Sequence, residues 1–276
     1  VWSTTIGGVA GPLLLTPGEV VGQAIGMPPL TGSYVFSLVA QAMALVLYLV
    51  ALRPDPLLMA QRIARGGTPV AGLGAGVDRP LTARYAIFGV SGSHAVMASV
   101  MAMTPIHLSH MAHDAHGAHT TSEDVTALVG VTIALHVAGM YALSPVFGIL
   151  ADRWGRIPVV LLGQAMLAAS LAIAIIAGES PAGVMAALIL LGTGWSASTV
   201  AGAALLTEAS TVLQRPKRQG VSDTLMSLTA GVGAALAGVV LANLGYGGLA
   251  AVALVIVVAI VALAPAAARR LKADAA

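Results

Sequence analysis

Charged and histidine side chains are few in this chain, and their spacing is uneven enough to suggest chemistry. Asp152, Arg153 and Arg156 crowd the turn Gly148–Arg156, between two long apolar stretches. A guanidinium there can hold a carboxylate or phosphate in a fixed fork, and Asp152 can face the positive end of a neighbouring helix. Gly148 and Gly155 permit a tight turn and close helix approach. Histidine recurs at every third position as His107, His110, His113, His116 and His119, preceded by Met97, Met101 and Met103. Imidazole with thioether suits copper, and imidazole alone suits zinc or nickel. The segment His107–Asp124 reads as a loop, where such spacing fixes no coordination geometry, and His-rich tracts also serve as solvated, pH-responsive linkers.

Two further histidines, His94 and His136, lie inside apolar stretches. Intramembrane ionisable groups are costly and usually functional. A neutral imidazole accepts a proton near neutral pH, so each can couple proton flow or simply join two helices. Gln41, Gln164 and Asn243 can line a cavity or glue helices together. Glu208 and Asp223 stand at span ends, where capping and the helix dipole favour Asp223. Trp154 reads as an interfacial anchor, and Trp195 as cavity lining or core. The chain has no cysteine, which removes thiol chemistry and disulfides. No Gly-x-x-x-x-Gly-Lys-Ser/Thr loop occurs, which argues against an ATP-driven pump. The expectation is a protein without cofactor, without enzymatic chemistry and without a nucleic-acid partner.

The elements carrying these residues follow from composition. Of 276 residues, 58% are hydrophobic and 9% charged, whereas soluble domains carry about 25% charged residues. Tyr34–Leu52, Ala86–Ile106, Val125–Leu150, Pro158–Ala177, Gly183–Leu206, Thr224–Leu244 and Gly248–Ala268 contain no Lys, Arg, Asp or Glu. Each approaches or exceeds the roughly 20 residues a helix needs to cross a bilayer. An eighth stretch, Val1–Leu15, is short for a span and precedes the turn-rich segment Thr16–Gly32. It reads as a span whose beginning is missing or was never encoded. The fold class is therefore all-α: a polytopic transmembrane bundle of about eight spans, with the lipid bilayer as its partner.

Alternating the sides of successive spans places all 13 basic residues on one side. That side receives Arg53–Arg84, Gly148–Ile157, Thr207–Asp223 and Ala266–Ala276; the other receives none. Basic loops stay in the cytoplasm, so this side and the C-terminus are expected there. Arg53–Arg84 divides the chain, and its Gly/Pro-rich centre reads as a flexible linker.

Gly148-Ile-Leu-Ala-Asp-Arg-Trp-Gly-Arg156 resembles the major facilitator signature Gly-x-Leu-Ala-Asp-Arg-x-Gly-Arg, matching at Gly148, Leu150, Ala151, Asp152, Arg153, Gly155 and Arg156. Gly7-Gly-Val-Ala-Gly11-Pro12 resembles the Gly-x-x-x-Gly-Pro element of proton-coupled antiporters in that family, although Leu15 and Thr16 replace two further glycines. Small residues four apart favour close helix packing, and Pro12 bends the helix.

The resemblance implies the last two-thirds of a twelve-span major facilitator transporter. Residues 1–52 would end the first half, 53–84 form the central loop, 85–268 the six-helix second half and 269–276 a cytoplasmic tail. It implies a bacterial inner-membrane (plasma membrane) protein moving small molecules by alternating access. The expected mode is efflux by proton antiport, with the Gly148–Arg156 turn as gate and His136, His94 and Gln164 in substrate or proton coupling. Missing N-terminal spans, or a second copy, would complete it. Two other expectations stand beside this one: a membrane metal-binding, sensing or metal-efflux protein using the His-rich segment, and an inactive truncated transporter fragment.

Overall fold

A computed structural model describes residues 2–28, 31–55, 58–59, 78–116 and 122–273, and all regular structure among them is helical. The helices are α1 (Trp2–Leu13), α2 (Leu15–Ala24), α3 (Ser33–Ala51), α4 (Pro80–His116), α5 (Ser122–Tyr141), α6 (Ser144–Trp154), α7 (Arg156–Ala177), α8 (Pro181–Glu208) and α9 (Arg215–Ala273). The chain forms two compact units, residues 13–75 and residues 1–12 with 76–276. Most of the linker centre, Gly66–Pro80, lies outside the described residues.

In the smaller unit, α2 occupies much of Thr16–Gly32, which the sequence presents as a turn-rich loop. Pro17 stands in the first turn, where its missing N–H has no helical partner to lose. Gly18 and Gly22 then bring α2 into backbone contact with the start of α3. A Cβ on Gly18 would lie 2.6 Å from Ser33 Cα, and one on Gly22 2.6 Å from Gly32 Cα. Helix α3 is apolar all round, with none of its span window buried. Such a surface is stable against lipid and not against water.

In the larger unit, helix α4 begins at Pro80, a favoured first position, and runs to His116. The histidines His107–His116 therefore stand on a helix, which corrects the loop reading of that segment. Helices α5 and α6 form one crossing broken at Ala142–Leu143. Pro145 denies Tyr141 its usual backbone donor, and Ser144 Oγ bonds Met140 O at 3.2 Å beside the break. Gly155, at φ 95°, turns the chain from α6 into α7. A side chain at that φ is strained, so glycine is required there.

Helix α9 holds 59 residues, a straight length of roughly 90 Å against the ~30 Å of a hydrocarbon core. It is two spans. Gly245, at φ 69° and ψ −177°, interrupts it, and its contacts with α4 reverse direction there. Thr229 bonds Ser91 O at 3.1 Å, and Gly233 and Gly238 lie beside Ser99 and Met103. After Gly245 the order runs backward. Tyr246 meets Thr104 at 3.0 Å, while Ile256 and Ile260 press on Gly92. Six described helices are long and apolar enough to cross a membrane, and α9 supplies two crossings.

Two apolar clusters fill the bundle. One joins Val96, Leu108, Leu167, Leu171, Leu188, Leu191, Trp195 and Tyr246. The other is alanine-rich, joining Ala83, Tyr85, Ala86, Val160, Ala197, Ala201 and Ile260. Small side chains let helices approach where lipid supplies no hydrophobic drive between them. Such close approach occurs at the α7–α8 crossing, where a Cβ on Gly163 would stand 2.6 Å from Ser198 N and 2.7 Å from Gly194 O.

Candidate functional site

The Gly148–Arg156 motif becomes a clasp centred on Arg156. Its Nη1 lies 2.8 Å from Asp152 Oδ1, and its Nη2 lies 2.7 Å from Glu208 Oε1. Nη1 also donates to Ala151 O. Asp152 belongs to α6 and Glu208 ends α8, so one guanidinium ties the α6–α7 turn to a third helix. Arg156 is 20% exposed, against 71% for Asp152 and 51% for Glu208. Arg153 is exposed, Leu150 half-buried. Gly148 lies inside α6, and a Cβ there would meet only Val200, at 4.0 Å. Ordinary space at Gly148 corrects the expectation of a close approach; Gly155 alone needs glycine.

The C-terminus of α8 collects further cations. Arg215 Nε donates to Thr207 O and Ser210 O at 3.1 and 3.3 Å. Arg218 Nη1 donates to Ala209 O at 2.9 Å and pairs with Asp78 at 2.7 Å. The last carbonyls of a helix lack intrahelical donors and carry its negative dipole end, so three guanidinium groups converge there. Arg215 and Arg218 follow α8 by a few residues, whereas Arg156 and Asp78 join them only in space.

A polar layer crosses the middle of the bundle, with α8 as its hub. His136 is fully buried, and its Nδ1 lies 2.7 Å from Leu188 O. A carbonyl only accepts, so Nδ1 carries the proton and Nε2 the lone pair. Nε2 is buried without a partner among the described residues. Gly192 makes room for the ring, since a Cβ there would stand 3.2 Å from Nδ1. His94 has the opposite arrangement. Trp195 Nε1 donates to His94 Nδ1 at 2.9 Å, so that nitrogen holds the lone pair and Nε2 the proton. Tyr141 meets the Trp195 ring edge-on at 5.9 Å.

Gln164, fully buried on α7, donates to Ser93 Oγ and Ser198 Oγ, both at 2.8 Å. It thus joins α4, α7 and α8 by its two amide protons. Ser144 and Ser196 link α6 and α8 at 3.1 Å. The segment Gly192–Ser198 reaches His136, His94, Ser144 and Gln164 in two turns. A Gly-Thr-Gly-Trp-Ser-Ala-Ser run inside an apolar span is the sequence signal that could have found Ser196, Ser198 and, through them, Ser93, Ser144 and Tyr141.

The Gly-Pro element packs differently from its spacing. Gly7 and Gly11 have nothing within 4 Å of a Cβ, whereas one on Gly8 would lie 2.6 Å from Val137 Cγ1. Residues four apart share a face, and Gly8 is about 100° round from it, so α5 packs on the neighbouring stripe. Pro12 stands inside α1, close to Leu14, the residue between α1 and α2.

Of the histidine series, His107 is engaged. Its Nε2 lies 2.7 Å from Gly178 O and its ring stacks on Tyr246 at 4.2 Å. His110 is exposed. The side chains of His113 and His116, and all of His119, lie outside the described residues. No group of three or more His, Asp or Glu able to hold a metal occurs among the described residues.

Antiparallel apolar spans, a clasped charged turn and a buried polar layer define a polytopic helical membrane protein. A family profile described as Major Facilitator Superfamily matches residues 90–275, and the chain belongs to that family, which is not an enzymatic one. It is 33% identical over 251 residues to "Uncharacterized MFS-type transporter YddS" of Bacillus subtilis (strain 168), covering 88% of this chain and 55% of that protein. Identity to "Uncharacterized MFS-type transporter YdeG" of the same strain is 33% over 249 residues, again covering 88% and 55%. Identity to "Riboflavin transporter RfnT" of Brucella anthropi is 32% over 154 residues, covering 56% and 36%. The chain spans about half the length of the first two relatives.

Proposed function

We propose that this chain works in secondary active transport of a small molecule by alternating access, with efflux by proton antiport. The observation that carries the reading is the Arg156 clasp, which joins α6, α7 and α8 at the arginine-rich rim. Exposed ion pairs contribute about 0–1 kcal/mol each, so the clasp biases a conformational equilibrium instead of locking it. Residues 85–268 act as one rocking bundle, with 53–84 as the connection, 1–52 the end of the opposing bundle and 269–276 a tail. Rocking needs two bundles around a shared site; further N-terminal spans or a second copy supply the other. The rim faces the cytoplasm, where basic segments are retained.

Coupling belongs to His136. A proton can add at Nε2 while Nδ1 keeps its bond to Leu188 O. At His94 the incoming proton would displace the Trp195 donor. A buried charge must find a counter-group or move toward water, which links protonation of His136 to a shift of α5 against α8. The riboflavin transporter among the relatives makes riboflavin the first probe. In proteoliposomes, saturable riboflavin flux driven by a pH gradient, and weakened by Arg156→Lys, is expected. Lysine cannot reproduce a fork that reaches two carboxylates. Flux indifferent to the gradient and to that substitution would remove both the antiport and the clasp from the account.

A further inference from the structure

We propose that the groove between the start of α4 and the end of α9 is a binding site for one anionic phospholipid. The groove has a volume of about 370 Å³ and is lined by Leu81, Arg84, Tyr85, Phe88, Leu263 and Ala267. Its apolar walls open outward, with Leu81, Phe88 and Leu263 exposed by 51, 40 and 50%. Such a wall suits an acyl chain. Its polar end does not suit one. Arg84 is exposed and, among the described residues, forms no ion pair. Beside it Tyr85 is 6% exposed, with a buried hydroxyl that has no partner among the described residues.

A buried hydroxyl without a partner costs free energy that an acceptor would return. No described residue supplies that acceptor to Tyr85, and a ligand seated in the groove can. A phospholipid meets every requirement together: a phosphate for Arg84, phosphate or ester oxygens for Tyr85, and a hydrocarbon tail for Phe88 and Leu263. The first turn of α4 adds its positive dipole end, since Arg84 follows the Pro80 start by one turn. Negative lipid is preferred over zwitterionic because no carboxylate is among the lining residues to meet a choline or ethanolamine cation. The site is independent of the transport reading and requires only a membrane-embedded bundle.

The test is native mass spectrometry of the whole chain in detergent, titrated with phosphatidylglycerol or with phosphatidylcholine. One phosphatidylglycerol retained in preference to phosphatidylcholine is expected. Arg84→Gln should weaken its retention by about tenfold, the scale of one charge-assisted hydrogen bond. Lys217→Gln, an exposed cation at the opposite end of the α9 segment from Leu263 and Ala267, should leave it unchanged. Tyr85→Phe should weaken retention several-fold and raise thermal stability in lipid-free detergent, because the orphaned hydroxyl is gone. Glycerophosphoglycerol, which has the headgroup and no chains, should not compete. Equal retention of the two lipids, equal loss in Arg84→Gln and Lys217→Gln, or full competition by the chainless headgroup would each overturn the proposal.

Discussion

Arg156 meets acceptors on three sides, and the two carboxylates it holds differ in how far apart they lie along the chain. Asp152 is four residues away, within one helical turn of spacing, and that pair is legible in the motif. Glu208 is two helices distant in sequence and belongs to the clasp only because α8 ends beside the turn. A double-mutant cycle separates the two kinds of contact. Arg156→Gln and Glu208→Gln should each lower thermal stability, and the double variant should lose less than their sum. A coupling of about 0.5–1 kcal/mol is expected for so exposed a partner; additivity would mean that the pair contributes nothing. His136 yields a second prediction at this scale. Asparagine places an amide N–H near the Nδ1 position, so His136→Asn should keep the bond to Leu188 O and the fold while abolishing pH-driven flux. Unchanged pH-driven flux would make His136 a purely structural tie. The sequence marks His94, His136 and Gln164 as costly in an apolar span, yet it does not sort them. Their hydrogen-bond partners, on α8 and α4, do.

At the scale of helices, close approach is written in glycine, and which glycine matters depends on the neighbour. Gly163 faces the backbone of α8, where a Cβ would stand 2.6 Å from Ser198 N, whereas Gly231 on α9 has nothing within 4 Å. Gly163→Ala should therefore destabilise the bundle by about 1–3 kcal/mol through overpacking. Gly231→Ala should be neutral or stabilising by up to about 1 kcal/mol, because alanine favours helix. Melting of both variants in detergent checks the contrast, and equal effects would contradict the crossing described. Span positions are legible because apolarity is a local property of the chain. The helix at α2 is not, since Pro17, Gly18 and Gly22 look like turn residues until Ser33 and Gly32 pack against them. The continuation of α4 through the histidines is hidden for a similar reason: polar helical turns beyond a span carry no apolar period to read.

For the whole molecule, the arrangement rests on spans that alternate in direction, and α9 is the strictest case because it turns back at a single glycine. The reversal explains how Arg215 and Arg269, at opposite ends of one helical segment, share one end of the bundle. Since the chain has no cysteine, each introduced cysteine reports alone. Single cysteines at Glu179 and Gly247 mark one side, and those at Gln219 and Lys217 the other. With an impermeant thiol reagent applied to intact cells, labelling of Glu179→Cys and Gly247→Cys is expected, with Gln219→Cys and Lys217→Cys labelled only after the membrane is opened. Labelling of Gln219→Cys and Gly247→Cys from the same side would contradict the reversal at Gly245, and with it the antiparallel bundle on which the clasp, the polar layer and the proposed transport cycle depend.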